Sequence, residues 1–139
     1  MKLILCKAES ELEAIKSEAK ILFRMLHDNI VRYFASFIHK DHLGQKYFGV
    51  VMEYCEQGDI QSHINRSKGL NSRVSDRRIA RWTLEIAEAL AYMHAKELQH
   101  RDLKADNVMV RGEQAKVADF GLATVRRSVF CLFSLRARG

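Results

Sequence analysis

The 139-residue sequence contains no proline. Average usage is about 5%, and a domain of several elements normally places some at its turns, so we expect segments of a fuller domain to lie outside this sequence. Cysteine is sparse: Cys6, Cys55 and Cys131 are widely spaced and form no CxxC pair. That excludes a disulfide framework and a zinc-ligand spacing, and it points to a reducing compartment, the cytoplasm or nucleus. His39 and His42 are near each other but form no recognised metal-ligand spacing, and read as a solvated loop pair. No apolar run approaches the roughly 18 residues that a membrane span needs, so no membrane partner is expected. The opening MKLILC turns acidic at once and offers no small-residue cleavage site, which argues against a signal peptide. Internal repeats and low-complexity segments are absent too.

What is present fits one folded domain: 47% hydrophobic and 29% charged residues can bury a core and keep it in solution. The net charge of +6 suggests affinity for anions. The basic residues are scattered, though, and the densest group (Arg126, Arg127, Arg136, Arg138) falls at the far end, where no nucleic-acid recognition motif accompanies it. A nucleic-acid partner is therefore not expected.

Along the chain, Leu3 to Leu5 read as the end of a short strand. Leu12, Ile15, Ala19, Leu22 and Leu26 recur at helical spacing, which predicts a helix over 10–26 with one buried stripe. Two runs rich in β-branched and aromatic residues, 30–38 and 47–54, read as strands around a polar loop. Cys55-Glu56-Gln57-Gly58 is a connector, and a short helix follows over 59–66. Ser75 is an N-cap candidate for a long helix carrying Ile79, Trp82, Ile86, Leu90 and Met93 on one face. Residues 107–110 and 115–117 read as two small strands joined by a turn at Arg111-Gly112-Glu113.

The chemistry concentrates beside that hairpin. His100-Arg101-Asp102-Leu103-Lys104-Ala105-Asp106-Asn107 matches the pattern H-R-D-L-x-x-x-N residue for residue, and Asp119-Phe120-Gly121 follows it. Phosphoryl transfer asks mainly for positioning and for neutralisation of phosphate charge. A loop carboxylate such as Asp102 can accept or orient the proton of an attacking hydroxyl. Asn107 and Asp119 supply hard oxygen ligands suited to Mg²⁺. Lys104 can reach a transferred phosphoryl as a point charge.

With both motifs in order, the chain resembles the eukaryotic protein kinase family, Ser/Thr type. The resemblance implies an α+β, partial bilobal kinase fold: part of the N-lobe sheet with its helix, and the start of the helical C-lobe. It implies ATP and Mg²⁺ as cofactors and a protein Ser or Thr hydroxyl as acceptor. By the same resemblance Asp102 and Lys104 are catalytic, and Asn107 and Asp119 hold the metal. Glu18 takes the place of the helix glutamate that pairs with a strand lysine, and Lys2 that of the lysine in V-A-I-K, with Lys7 too close to the helix. VVMEYCEQGDI looks like the hinge: Met52 guards the back pocket, Glu53 and Cys55 offer backbone groups to adenine, and Asp59 approaches the ribose. Met109 is the adenine floor. Leu22, Tyr33, His100 and Phe120 form the hydrophobic column between lobes. Arg101 beside Asp102 suggests control by phosphorylation of a downstream loop. The MEYCEQGD hinge is similar to NIMA-related kinases, though other Ser/Thr groups share it.

The sequence also departs from the family. No G-x-G-x-x-G precedes the helix, no P-loop is present, and A-P-E does not follow the metal turn. We expect a partial kinase domain over 1–124 and an atypical tail over 125–139, the tail reading as a frameshift, retained intron or alternative exon. Val129 to Phe133 is apolar with high β propensity, an aggregation hazard if nothing packs on it. An isolated chain of this kind is expected to be inactive. The alternative reading is a non-catalytic kinase-like binding module or truncated isoform.

Overall fold

In the computed structural model, residues 2–6, 8–119 and 124–125 are described. Strand β1 (Lys2–Cys6) leads into helix α1 (Glu9–Leu22), followed by β2 (Tyr33–Lys40) and β3 (Lys46–Met52). Helices α2 (Ile60–Gly69) and α3 (Asp76–Ala95) come next. Then follow β4 (Leu98–Gln99), a one-turn 3-10 helix (Ala105–Asn107), β5 (Val108–Arg111), β6 (Gln114–Val117) and β7 (Thr124–Val125). The mixed α+β architecture agrees with the expected partial kinase fold.

The first three strands form one antiparallel sheet in the order β1-β3-β2. Its register sets Lys2 opposite Val50 and Tyr33 opposite Met52, so β3 is the central strand and runs straight into the hinge. Gly49 faces Phe37 across the pair. A Cβ at Gly49 would meet the Phe37 ring at 2.4 Å, so the missing side chain is what lets that ring lie over the strand.

Helix α1 is shorter than its apolar spacing suggests. It ends at Leu22, and Leu26 lies beyond it, 62% exposed. The N-cap Ala8 has no side-chain acceptor; Glu11 instead reaches back to the Ala8 amide at 3.4 Å. Residues 30 and 31 are not in β2. Ile30 makes an isolated parallel bridge to Val117, and the Val31 amide donates to the Val117 carbonyl at 2.9 Å. The Val117 amide in turn donates to the Asn29 carbonyl at 2.8 Å. Residues 29–31 thus bind β6 rather than the sheet, and this connects the two halves of the molecule.

The buried stripe of α3 is Trp82, Glu85, Ala89 and Met93. Ile79, expected on that face, is 48% exposed. The stripe is rotated because Glu85 is drawn inward: its carboxylate accepts from the Ala115 amide at 2.6 Å and from Arg81 Nε at 3.0 Å. Ser75 caps α3 by position, without a side-chain hydrogen bond. Asn107 belongs to the 3-10 turn rather than to a strand.

One core is continuous from sheet to helix. Leu12, Ala19, Ile30, Tyr33, Phe48 and Val50 pack together with Ala89, Met93, Leu98 and Val117. A second, smaller cluster joins Ile60, Trp82, Val108, Val110 and Ala115. Val125, in the expected tail, pairs with Leu98 of β4. Phe120, Gly121 and the remainder of that tail lie outside the described residues. No helix is long and apolar enough to cross a membrane among the described residues.

Candidate active site

The loop after β4 is held by a histidine. His100 is buried (3% exposed), and its two ring nitrogens serve different partners. Nδ1 accepts from the Asp102 amide at 3.3 Å, while Nε2 lies 2.8 Å from the Ala118 carbonyl and therefore carries the proton. The ring ties the Asp102 loop to the end of β6, one residue before Asp119. Arg101 and Asp119 both have positive φ, 65° and 57°. For side chains other than glycine such conformations persist only where surrounding contacts enforce them, and they gather at functional sites.

Two side chains converge on Asp102. Lys104 Nζ lies 3.1 Å from Asp102 Oδ2. Asn107 Nδ2 donates to the same oxygen at 3.0 Å and to the Asp102 carbonyl at 2.7 Å. The amide nitrogen of Asn107 is thereby committed to Asp102, and its Oδ1 is left as the donor atom for a metal. The Lys104 hydrogen bond holds the Asp102 carboxyl below the usual range; partial burial opposes this, and Asn107 adds to it. The same pairing raises Lys104. Asp102 is therefore a carboxylate, and Lys104 an ammonium that also feels the charges of Asp106 and Asp119. The Ala118 amide donates to the Asn107 carbonyl at 2.9 Å, which fixes Asp119 beside the metal-ligand candidate Asn107.

Above this loop, a cavity of about 210 Å³ is lined by Met52, Glu53, Met109 and Asp119, with Val31, Ala118 and Ile4 among the others. Ligand sites are typically about 300–1,000 Å³; this one suits a planar base rather than a whole nucleotide. Cys55 is buried against Val31 and Ala118, with Met52 and Met109 beside them. Desolvation pushes its thiol up, and the Glu53 charge adds to this, so it is a poor nucleophile.

At the hinge, the Glu53 amide donates to the Arg32 carbonyl at 2.7 Å and the Cys55 carbonyl accepts from the Gly58 amide at 3.3 Å. Among the described residues the Glu53 carbonyl and the Cys55 amide lie outside these bonds, an acceptor and a donor two residues apart on the connector. Asp59 caps α2, accepting from the Ser62 amide at 2.7 Å and from Ser62 Oγ at 2.9 Å. It also bridges to Met109 of β5. Lys2 stands at the start of β1 and Glu18 within α1, but their side chains lie outside the described residues, as does Phe120 of the expected column. Leu22 and Tyr33 of that column share the main core.

Three contributors carry no motif signal: the Ala118 backbone, Asp106 at the cavity wall, and the Glu53 side chain, which faces Lys116 and Arg111. Only the alternation in QAKVAD, which brings a lysine into an apolar strand, hints at the last. For the metal, a carboxylate and an amide oxygen are the hard donors that Mg²⁺ takes, and it keeps other positions for water and phosphate. Among the described residues no three His, Cys, Asp or Glu side chains gather into a metal centre.

Residues 1–130 match the family described as protein kinase domain. The chain is 39% identical to the human serine/threonine-protein kinase Nek5 over 83% of its own length and 16% of that protein. It is 33% identical to mouse serine/threonine-protein kinase Nek11 over 76% of this chain and 16% of that protein. A probable serine/threonine-protein kinase WNK8 of rice (Oryza sativa subsp. japonica) is 36% identical over 84% of this chain and 18% of that protein. The chain thus spans less than a fifth of each of these relatives. With the Asp102 loop, the hinge and the Asp119 strand arranged as described, the chain belongs to the protein kinase domain family.

Proposed function

We propose that the protein carrying this chain is a Ser/Thr kinase that transfers the γ-phosphoryl of ATP to a protein hydroxyl. Adenine would sit on the Glu53 carbonyl and Cys55 amide, between Met52 and Met109. Asp59 would approach the ribose with the lone pairs that Ser62 leaves free, and Lys2, supported by Glu18, would meet the phosphates. Asn107 Oδ1 and Asp119 would hold Mg²⁺. When bound, the ion neutralises phosphate charge and orients the transferred group. Asp102 would orient the acceptor hydroxyl and receive its proton, and Lys104 would hold the phosphoryl charge.

The observation that carries this reading is the three-way contact of Lys104, Asp102 and Asn107, tied by His100 and Ala118 to the strand of Asp119. A merely solvated loop has no need of a buried histidine bridging two such segments. The compartment is expected to be cytoplasm or nucleus, from the sparse and widely spaced cysteines of the sequence. The test is phosphoryl transfer to a Ser/Thr peptide by the full protein. Asp102→Asn should lower kcat by a factor of about 10²–10⁴ and leave Mg·ATP affinity within a few-fold; unchanged turnover would sink the proposal.

A further inference from the structure

The side of the hinge that faces away from the nucleotide cleft holds an ion network that none of the roles above uses. The Glu53 and Lys116 side chains are each only 9% exposed, with Glu53 Oε2 and Lys116 Nζ 3.2 Å apart. The same Glu53 oxygen accepts from the Arg32 amide at 3.1 Å, and Oε1 accepts from Arg111 Nη1 at 2.5 Å. Lys116 Nζ also donates to the Asp28 carbonyl at 2.6 Å. Four segments meet in these contacts: the turn at 28–32, the hinge, the end of β5 and the middle of β6.

A lysine only 7% exposed is costly unless its charge is fully met, and an apolar residue in its place would pack at less cost. What Lys116 provides beyond packing is direction. It lies on β6, which runs within three residues to Asp119, and it grips the carboxylate of a hinge residue that lines the cavity. Glu53 itself lines both the 210 Å³ cavity and a larger one of about 770 Å³ on the outer side. It is the wall between them, clamped from outside. The neighbouring backbone contacts Val31 to Val117 and Val117 to Asn29 hold the same turn against the same strand.

We propose that Lys116 is a positioning residue that, through Glu53, fixes the adenine-facing hinge relative to the strand bearing Asp119. This rests on the nucleotide reading above and deepens it. A group that sets one subsite relative to another matters most for a ligand that spans both. Adenosine needs only the hinge, whereas Mg·ATP needs the hinge and the Asp119 end together.

The experiment measures the affinity of adenosine and of Mg·ATP for the wild-type chain, Lys116→Met and Lys116→Arg, alongside amide exchange. Methionine matches the length of the lysine stem and leaves Glu53 with Arg111 and the Arg32 amide, so the fold should persist. Lys116→Met is expected to weaken Mg·ATP about tenfold, to change adenosine affinity by no more than about twofold, and to speed exchange at Val31, Glu53 and Val117. Exchange in α3 should not change. Lys116→Arg should restore most of the Mg·ATP affinity. Equal weakening of both ligands, or faster exchange throughout, would mean a merely structural role and overturns the inference. So does a variant that matches wild type in every readout. A wild-type chain that binds neither ligand overturns the nucleotide reading, and the inference falls with it.

Discussion

Glu53 and Asp102 are both carboxylates held below their ordinary range, and the causes differ in a way that decides what acid does to each. Burial pushes Glu53 up, but the Arg32 amide, Lys116 and Arg111 more than offset it. Asp102 stands at the surface and is held mainly by Lys104. A group with a depressed folded pKa contributes stability above its ordinary value and loses it as the pH falls through the folded value. For Glu53 the ordinary value is 4.5, so its contribution is complete at neutral pH and disappears below that point. Glu53→Gln should therefore cost about 1–3 kcal/mol at pH 7 and flatten the dependence of denaturation midpoint on pH below about 4.5. Equal slopes for variant and wild type in acid would show that Glu53 does not carry that dependence. Asp102 is screened by solvent, and its variants should alter chemistry with little effect on the midpoint.

Among the elements, α3 shows how a correct period can still misplace one end of a face: Trp82, Ile86, Leu90 and Met93 pack inward as expected, and Ile79 does not. Apolar residues at 79, 82, 86, 90 and 93 fit a single stripe, and nothing in the sequence says that Glu85 will replace Ile79 as an inward residue. The reason lies on another strand: the Ala115 amide needs an acceptor where β6 passes α3, and Glu85 supplies it. Trp82 is placed by a similar demand, its indole N–H donating to the Glu113 carbonyl at 3.2 Å. Trp82→Ala should accordingly cost about 3–5 kcal/mol, while Ile79→Ser should stay within about 0.5 kcal/mol, both by urea denaturation. A large loss at Ile79 would restore the simple stripe. The two-residue strands β4 and β7 were illegible for a different reason, since pairs that short carry no period at all. By contrast the His100 to Asn107 loop was legible residue by residue. The contacts of Lys104 and Asn107 with Asp102 are local, so spacing in the chain is nearly spacing in the molecule, whereas the tie from His100 to Ala118 spans 18 residues and carries no motif signal. Glu53 and Lys116 lie on separate segments, and only folding brings them within 3.2 Å.

At the scale of the molecule, the sheet and the helical half share one core rather than two. Met93 of α3 is fully buried among residues of the same cluster as Leu12, Phe48 and Val50, and Val117 joins them. The second cluster, around Trp82, touches this core through Ile86, which packs on both. The turn at 29–31 adds backbone bonds from the sheet side to β6. A division between lobes would have to break this core and those bonds together, so the two halves should lose structure in one transition. Trp82 fluorescence reports the helical half. Amide exchange in β3, read at Phe48 and Val50, reports the sheet. Met93→Ala removes a side chain from the shared core and should cost about 2–5 kcal/mol. It should lower the fluorescence midpoint and the protection of Phe48 and Val50 by the same free energy. If the variant destabilised only the Trp82 signal and left β3 protection at its wild-type value, the halves would be energetically separate, and the hinge would join two bodies instead of running along the edge of one.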